Sequence, residues 1–195
     1  MQRYILSLVM AIAICLTFGG QTATSAPVCV TETFAVPDGN GGCCNITVDY
    51  CSEIVGGVLI LTIGTITVPS DCQLVVNPGL FNWLRKKIVY RLNAPGRLNL
   101  GIPNCPTTST IIVQTSQSSC YSQVMAANGD KVYNPCGAST CTKRCAVCLS
   151  TSETDPCSDP ANEPMLQYVG CQNTIVPCSP GPGSGNCTVN TCDSN

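Results

Sequence analysis

Four cysteines that lie close together in the chain have a spacing known from metal chemistry. Cys136, Cys141, Cys145 and Cys148 are neighbours in sequence, and the last three follow the C-x3-C-x2-C arrangement that holds iron-sulfur clusters in radical enzymes. Four thiolates also suit tetrahedral zinc, and cysteines outside the cytosol pair as disulfides. The spacing alone leaves these three chemistries open, so the compartment has to decide among them.

The N-terminal residues have the pattern of a secretory signal peptide. Arg3 precedes an apolar run from Tyr4 to Phe18, and a stretch of small residues follows at 23–26. We therefore predict a signal peptide at residues 1–25 and a secreted protein, located outside the cell or at its surface. The apolar run of about fifteen residues is short for a bilayer core of about 30 Å, so we expect no transmembrane segment after cleavage.

Loss of the signal peptide makes the cysteine count even. The chain has seventeen cysteines, and cleavage removes Cys15 and leaves sixteen. An even number in an oxidising compartment favours complete pairing, which predicts disulfides, no metal and no cofactor. The sequence does not give the connectivity. The predicted half-cystines are Cys29, Cys43, Cys44, Cys51, Cys72, Cys105, Cys120, Cys136, Cys141, Cys145, Cys148, Cys157, Cys171, Cys178, Cys187 and Cys192.

The adjacent residues Cys43 and Cys44 form a special case. Two neighbouring cysteines do not bond to each other without strain, so we expect them to reach partners on opposite faces of a strand. The alternative is a redox-active pair, but no neighbouring cation is present to activate a thiolate.

The absence of histidine removes most catalytic arrangements. Ser-His-Asp and Cys-His sites and histidine-ligated metals are excluded outright. The one dense carboxylate group comprises Glu153, Asp155, Asp159 and Glu163, for which acid-base chemistry, calcium binding and a plain solvated loop all remain open. We expect that the protein is not an enzyme.

A basic and aromatic cluster is the candidate binding site. It consists of Trp83, Arg85, Lys86, Lys87 and Arg91. On a helix it would place cations and a ring beside an apolar stripe, which suits an anionic polysaccharide, a lipid headgroup or another protein. In the alternative interpretation, the stripe packs on the sheet and the cations only keep the outer face of the helix soluble.

One helix is predicted, at about residues 79–93. Pro78 suits a first helical turn, and apolar residues then recur at spacings of three and four. A strand from Lys87 to Asn93 is the competing interpretation. The apolar stripe comprises Leu80, Phe81, Leu84, Ile88 and Leu92.

The rest of the chain has strand patterns. Residues 45–51 alternate polar and apolar side chains, 54–68 are uncharged and interrupted by Gly64, and Asn128-Gly129 signals a hairpin. We predict a mainly β, disulfide-rich protein with a small antiparallel sheet or sandwich. The expected division is a β-rich core domain at 26–135 and a cysteine-rich loop region at 136–195, packed on the core.

Two cysteine motifs carry a resemblance. The Cys-Cys-x-Ile-Thr-Val-x-Tyr-Cys segment from Cys43 to Cys51, combined with the C-x3-C-x2-C motif at 141–148, resembles uncharacterised cysteine-rich secreted proteins of bacteria. The resemblance covers residues 43–148. It implies an exported or surface product of bacteria and brings no activity and no functional residue with it.

Charge separates the remaining function classes. Only 10% of residues are charged and the net charge is −2, which argues against a nucleic acid partner. Low charge opposes association only weakly, so we expect a structural or surface-associated protein, a subunit of an extracellular assembly, whose partner is a second copy, another surface protein or a glycan. The alternative is a secreted binding or inhibitor-type module that recognises protein or glycan through disulfide-held loops.

Overall fold

The computed structural model describes residues 26–106, 111–158, 163–178 and 187–192, so the predicted signal peptide lies outside the described residues. The chain is mainly β with one helix and is rich in disulfides, which confirms the predicted fold class. The elements in chain order are β1 (Val28–Pro37), β2 (Cys43–Val55), β3 (Val58–Val68), α1 (Pro78–Leu92), β4 (Ile111–Met125), β5 (Lys131–Asp155), β6 (Glu163–Thr174) and β7 (Cys187–Asn190).

The first three strands form an antiparallel meander shaped by glycines. Gly56-Gly57 joins β2 to β3, and both residues have the positive φ that a two-residue hairpin turn requires, 58° and 77°. Gly64 lies in β3 beside a bulge at Asp49, where a Cβ on residue 64 would come within 3.3 Å of the Asp49 carbonyl oxygen. The interruption predicted at Gly64 is therefore a bulge within one strand.

Helix α1 matches the prediction to within one residue at each end. The Asn77 side chain accepts a hydrogen bond from the backbone N–H of Leu80 at 3.0 Å, and Pro78 occupies the first turn. All five residues of the predicted apolar stripe are buried, which confirms the helix and excludes the competing strand.

The helix also sets the topology of the sheet. It carries the chain from β3 to β4, and such a crossover allows these two strands to run parallel, whereas the other pairings are antiparallel. The predicted hairpin at Asn128-Gly129 joins β4 to β5, with Gly129 at φ 88°. The result is a curled sheet in the order β1-β2-β3-β4-β5-β6, with β7 paired to β4 and the end of β3 also paired to β5.

The region after residue 136 has more regular structure than expected. It was predicted to consist of loops, but β5 runs without a break from Lys131 to Asp155, and β6 pairs with it. The predicted domain boundary at about residue 135 falls inside β5. Alternate residues such as Cys141, Lys143 and Cys145 are buried on one face, so the strand period is present, but cysteine and lysine conceal it from an apolar pattern search.

Candidate functional site

All sixteen predicted half-cystines are paired. The eight disulfides are Cys29–Cys51, Cys43–Cys157, Cys44–Cys72, Cys105–Cys148, Cys120–Cys178, Cys136–Cys187, Cys141–Cys192 and Cys145–Cys171. As predicted, Cys43 and Cys44 bond to two different partners. Since neither has a free thiol, the redox-active alternative is wrong.

The four clustered cysteines fasten β5 to four different parts of the chain. Cys136 reaches β7, Cys145 reaches β6, Cys148 reaches the loop before β4, and Cys141 reaches the segment after β7. Their thiols are used in crosslinks, so the zinc and iron-sulfur alternatives are wrong. Within the described residues, no group of three or more cysteine or acidic side chains is placed to hold a metal ion.

Arg85, one of the predicted binding residues, lies in the protein interior. Its side chain is 2% exposed, and Nη2 donates to Oε1 of Gln117 at 2.7 Å. The Gln117 amide in turn donates to the carbonyl oxygen of Thr191 at 2.7 Å, and the Thr191 hydroxyl donates to the Ser118 carbonyl oxygen. Arg85 was expected off the buried stripe, but its long side chain crosses the core to this polar network, so a surface ligand does not reach it.

Lys86 and Lys87 are engaged by the carboxylates of β5. Lys86 Nζ lies 3.1 Å from Glu153 Oε2, and Lys87 forms an ion pair with the buried Asp155. The basic cluster and the first half of the acidic group therefore neutralise each other. The side chains of Asp159 and Glu163 lie outside the described residues, so the calcium hypothesis for this loop stays a prediction.

Trp83 and Arg91 are the members of the predicted site that remain accessible. Arg91 is exposed, and its guanidinium carbon Cζ lies 5.9 Å from the ring centroid of Phe34. Trp83 is half-buried beside Lys87 Nζ, which lies 5.0 Å from its ring centroid, and it lines a surface groove of about 300 Å³ with Asp38 and Val75. The structure therefore places Arg85 in an interior network, Lys86 and Lys87 in two ion pairs, Trp83 in a shallow groove and Arg91 over the ring of Phe34.

Burial raises the pKa of three tyrosines. Burial raises the pKa of Tyr50 to about 12, and the Glu32 carboxylate, which accepts a hydrogen bond from the Tyr50 hydroxyl at 3.0 Å, adds to the rise. Burial also raises the pKa of Tyr121 and Tyr168, and it outweighs the opposite effect of the nearby Arg85 guanidinium. Desolvation therefore dominates even beside a buried cation.

The two ends of the strand order differ in charge and protection, a feature that the sequence analysis missed. At one end, β1 carries the inward-pointing Glu32, whose carboxylate lies 2.5 Å from Nη1 of Arg97 in the segment after α1, and prolines stand at positions 27 and 37. At the other end, β6 begins with Glu163 and Pro164, but the chain from Met165 through the end of the strand at Thr174 and on to Val176 has neither a charged residue nor a proline. This stretch is exposed at residues 169–176, with Val169 at 44% and Ile175 at 45%.

Edge strands expose one row of unpaired backbone groups, and natural proteins protect them with charges, prolines or covering loops. β1 has these protections. On β6 a charged residue and a proline stand only at its start, Glu163 and Pro164, and the stretch after them has a bulge at Gly170, where the register with β5 shifts. Which strands form the ends of the sheet follows from tertiary pairing, so strand patterns alone gave no signal for this difference.

No family model, curated protein or solved structure matches this chain. Among the described residues, no helix has the length and apolar character needed to cross a membrane.

Proposed function

We propose that this protein is a secreted structural protein that acts as a subunit of an extracellular or cell-surface assembly. The observation that carries this proposal is β6, a strand at the end of the sheet that is exposed from Val169 onward and has no charged residue after Glu163. Such an edge accepts a further strand through main-chain hydrogen bonds, and its residues add no electrostatic repulsion.

The crosslinks support the same role. Eight disulfides fasten the sheet, and Cys145–Cys171 holds the edge strand β6 on β5. A strand held in an extended conformation loses less conformational entropy when it pairs with a partner than a mobile segment does. Disulfides of this number also fit an oxidising, extracellular location, which remains part of the proposal.

The test measures the assembly state of the oxidised, full-length mature chain. Analytical ultracentrifugation and negative-stain electron microscopy over a concentration series are expected to show ordered oligomers that increase with concentration. A monomer at every concentration tested would contradict the proposal.

A binding module is the second candidate, and the Trp83 groove favours it. Trp83 is the only tryptophan in the chain, so its fluorescence reports directly on this groove. Under this alternative, titration with a panel of oligosaccharides or peptides shifts the emission maximum, and Trp83→Phe abolishes binding of the ligands so found, as measured by isothermal titration calorimetry because this variant lacks the fluorophore. An unchanged spectrum across the panel counts against the binding module and leaves the structural proposal in place.

A further inference from the structure

We infer that two copies of this chain pair edge to edge through β6, antiparallel, and form a closed dimer. This inference rests on the proposed assembly role and specifies its interface, its partner and its stoichiometry.

The available edge runs from Gln167 to Val176 and comprises β6 from Gln167 to its end at Thr174 and the two residues that follow. Gln167 is exposed, Tyr168 is half-buried, and all residues from Val169 to Val176 are exposed. β5 pairs with only one side of the strand. The Cys145–Cys171 disulfide fastens β6 to β5, so β6 keeps its register on β5 while its other side faces solvent.

The partner that fits is a second copy, for reasons of charge. Because this stretch is uncharged, it has no electrostatic attraction that would select a charged partner. When it pairs with an identical strand, no like charges face each other. The exposed side chains of Val169, Ile175 and Val176 lose apolar surface to water when the two copies meet.

Geometry limits the assembly to a dimer. Two identical strands that pair antiparallel are related by a two-fold axis, so each uses the same surface and the interface closes on itself. Growth into a fibre would need the opposite end of the sheet as well. At that end the charged side chains of Glu32 and its partner Arg97 oppose strand addition.

The strength of the dimer follows from the size of the contact. One strand pair is a small interface beside the roughly 1,600 Å² of a standard protein complex, so we expect dissociation in the micromolar range. The dimer would then form where the protein is concentrated, such as in a surface layer.

The decisive experiment compares lysine substitutions at the two ends of the sheet. Val169→Lys/Ile175→Lys alters β6, and Val28→Lys, at a side chain that is 58% exposed on β1, is the matched control. Sedimentation velocity of the oxidised proteins is expected to show that the β6 variant weakens dimerisation by about tenfold or more, and that the control dimerises like the unchanged protein. Circular dichroism and the absence of free thiols verify that each variant is folded.

A measurement on the unchanged protein covers the case in which the β6 variant does not fold. Hydrogen exchange at low and high concentration is expected to show protection of β6 amides that grows with concentration, while β1 amides do not change. A dimer that survives both lysines with unchanged affinity overturns the β6 interface and leaves the assembly role standing. Fibres in place of dimers overturn the closed geometry, and a monomer at all concentrations overturns both proposals.

Discussion

The two halves of the sheet are held together by different forces. In β1–β3 the face toward α1 is mainly apolar, although it includes Glu32 and Ser52, and only two disulfides lie wholly within this half and the loop that follows it. In β4–β7 the same face includes Thr115, Gln117, Ser119 and Lys143, and five disulfides lie there. The eighth, Cys43–Cys157, joins the two halves. Crosslinks are concentrated where apolar burial is sparse.

Magnitudes explain this division. Burial of one Val, Leu, Ile or Phe side chain contributes about 1.5–3 kcal/mol, and a disulfide contributes about 2–4 kcal/mol by restricting the unfolded chain. The five disulfides of the second half can therefore contribute about as much to the free energy of unfolding as an apolar layer does. The comparison implies that the first half depends on packing and the second on oxidation.

The sharpest test removes one matched disulfide from each half. Cys29–Cys51 and Cys145–Cys171 close loops of 22 and 26 residues, so chain entropy alone predicts a similar loss for each, about 3.5 kcal/mol. We expect Cys145→Ala/Cys171→Ala to cost about 1 kcal/mol more than Cys29→Ala/Cys51→Ala, because less apolar burial holds β6 once the crosslink is gone. Urea unfolding measures the difference.

Hydrogen exchange localises the same effect. In Cys145→Ala/Cys171→Ala the β6 amides are expected to exchange far faster, whereas in Cys29→Ala/Cys51→Ala the β1 amides keep most of their protection. Equal losses of stability and protection in the two variants would remove the distinction between the halves.

A second test compares inward-facing side chains. Ile46→Ala in the first half opens a cavity in an apolar layer and is expected to lower the free energy of unfolding by about 3 kcal/mol. Thr115→Ala in the second half removes a methyl group and a hydrogen bond to the Lys143 carbonyl oxygen, for an expected loss of about 1 kcal/mol. A larger loss from the threonine would show that polar contacts dominate the second half.

The buried network around Arg85 provides a third test. Gln117→Met removes the acceptor of the Arg85 guanidinium and is expected to destabilise the protein by about 2 kcal/mol. Arg85→Met/Gln117→Met replaces both partners by apolar side chains and is expected to recover most of this loss. If the double variant is less stable than Gln117→Met alone, the network is a net source of stability and the second half is less dependent on its crosslinks.

A fourth test uses alkaline pH and a tyrosine of the first half. The folded pKa of Tyr50 is raised to about 12 from an ordinary 10.0, so its stabilising contribution is complete below pH 10 and is lost as the pH rises toward 12. At pH 11 this amounts to about 1.4 kcal/mol relative to neutral pH. Rapid denaturant unfolding at pH 7 and pH 11 measures the loss, and Tyr50→Phe serves as the control in which the loss is smaller. An identical loss in Tyr50→Phe would assign the effect to other tyrosines.

Several parts of the fold were predictable because they depend on local sequence. The apolar spacing from Leu80 to Leu92 identified α1, and Asn128-Gly129 identified the β4–β5 hairpin, since helix periodicity and turn chemistry act over a few residues. The part of β5 after residue 136 was missed because Cys141, Lys143 and Cys145 occupy its buried face, and in β4 residues 114–119 are polar on both faces. An apolar pattern search finds no inward side in such strands.

The candidate site was predicted less well for a related reason. Lys86, Lys87, Glu153 and Asp155 were each identified from the sequence, but as separate clusters with separate functions. Their mutual neutralisation arises because the fold brings Lys86 and Lys87 of α1 beside the end of β5, a contact between residues that lie far apart in the chain. Long-range proximity of this kind has no signature in a single sequence.

The sequence by itself determined the fold class, the helix and the complete pairing of the cysteines, because composition and local periodicity carry that information. Tertiary structure alone decided which cysteines pair, that Arg85 lies inside, and which strand forms each end of the sheet. These features depend on contacts between distant segments. The exposed β6, the basis of the proposed assembly, belongs to this second group.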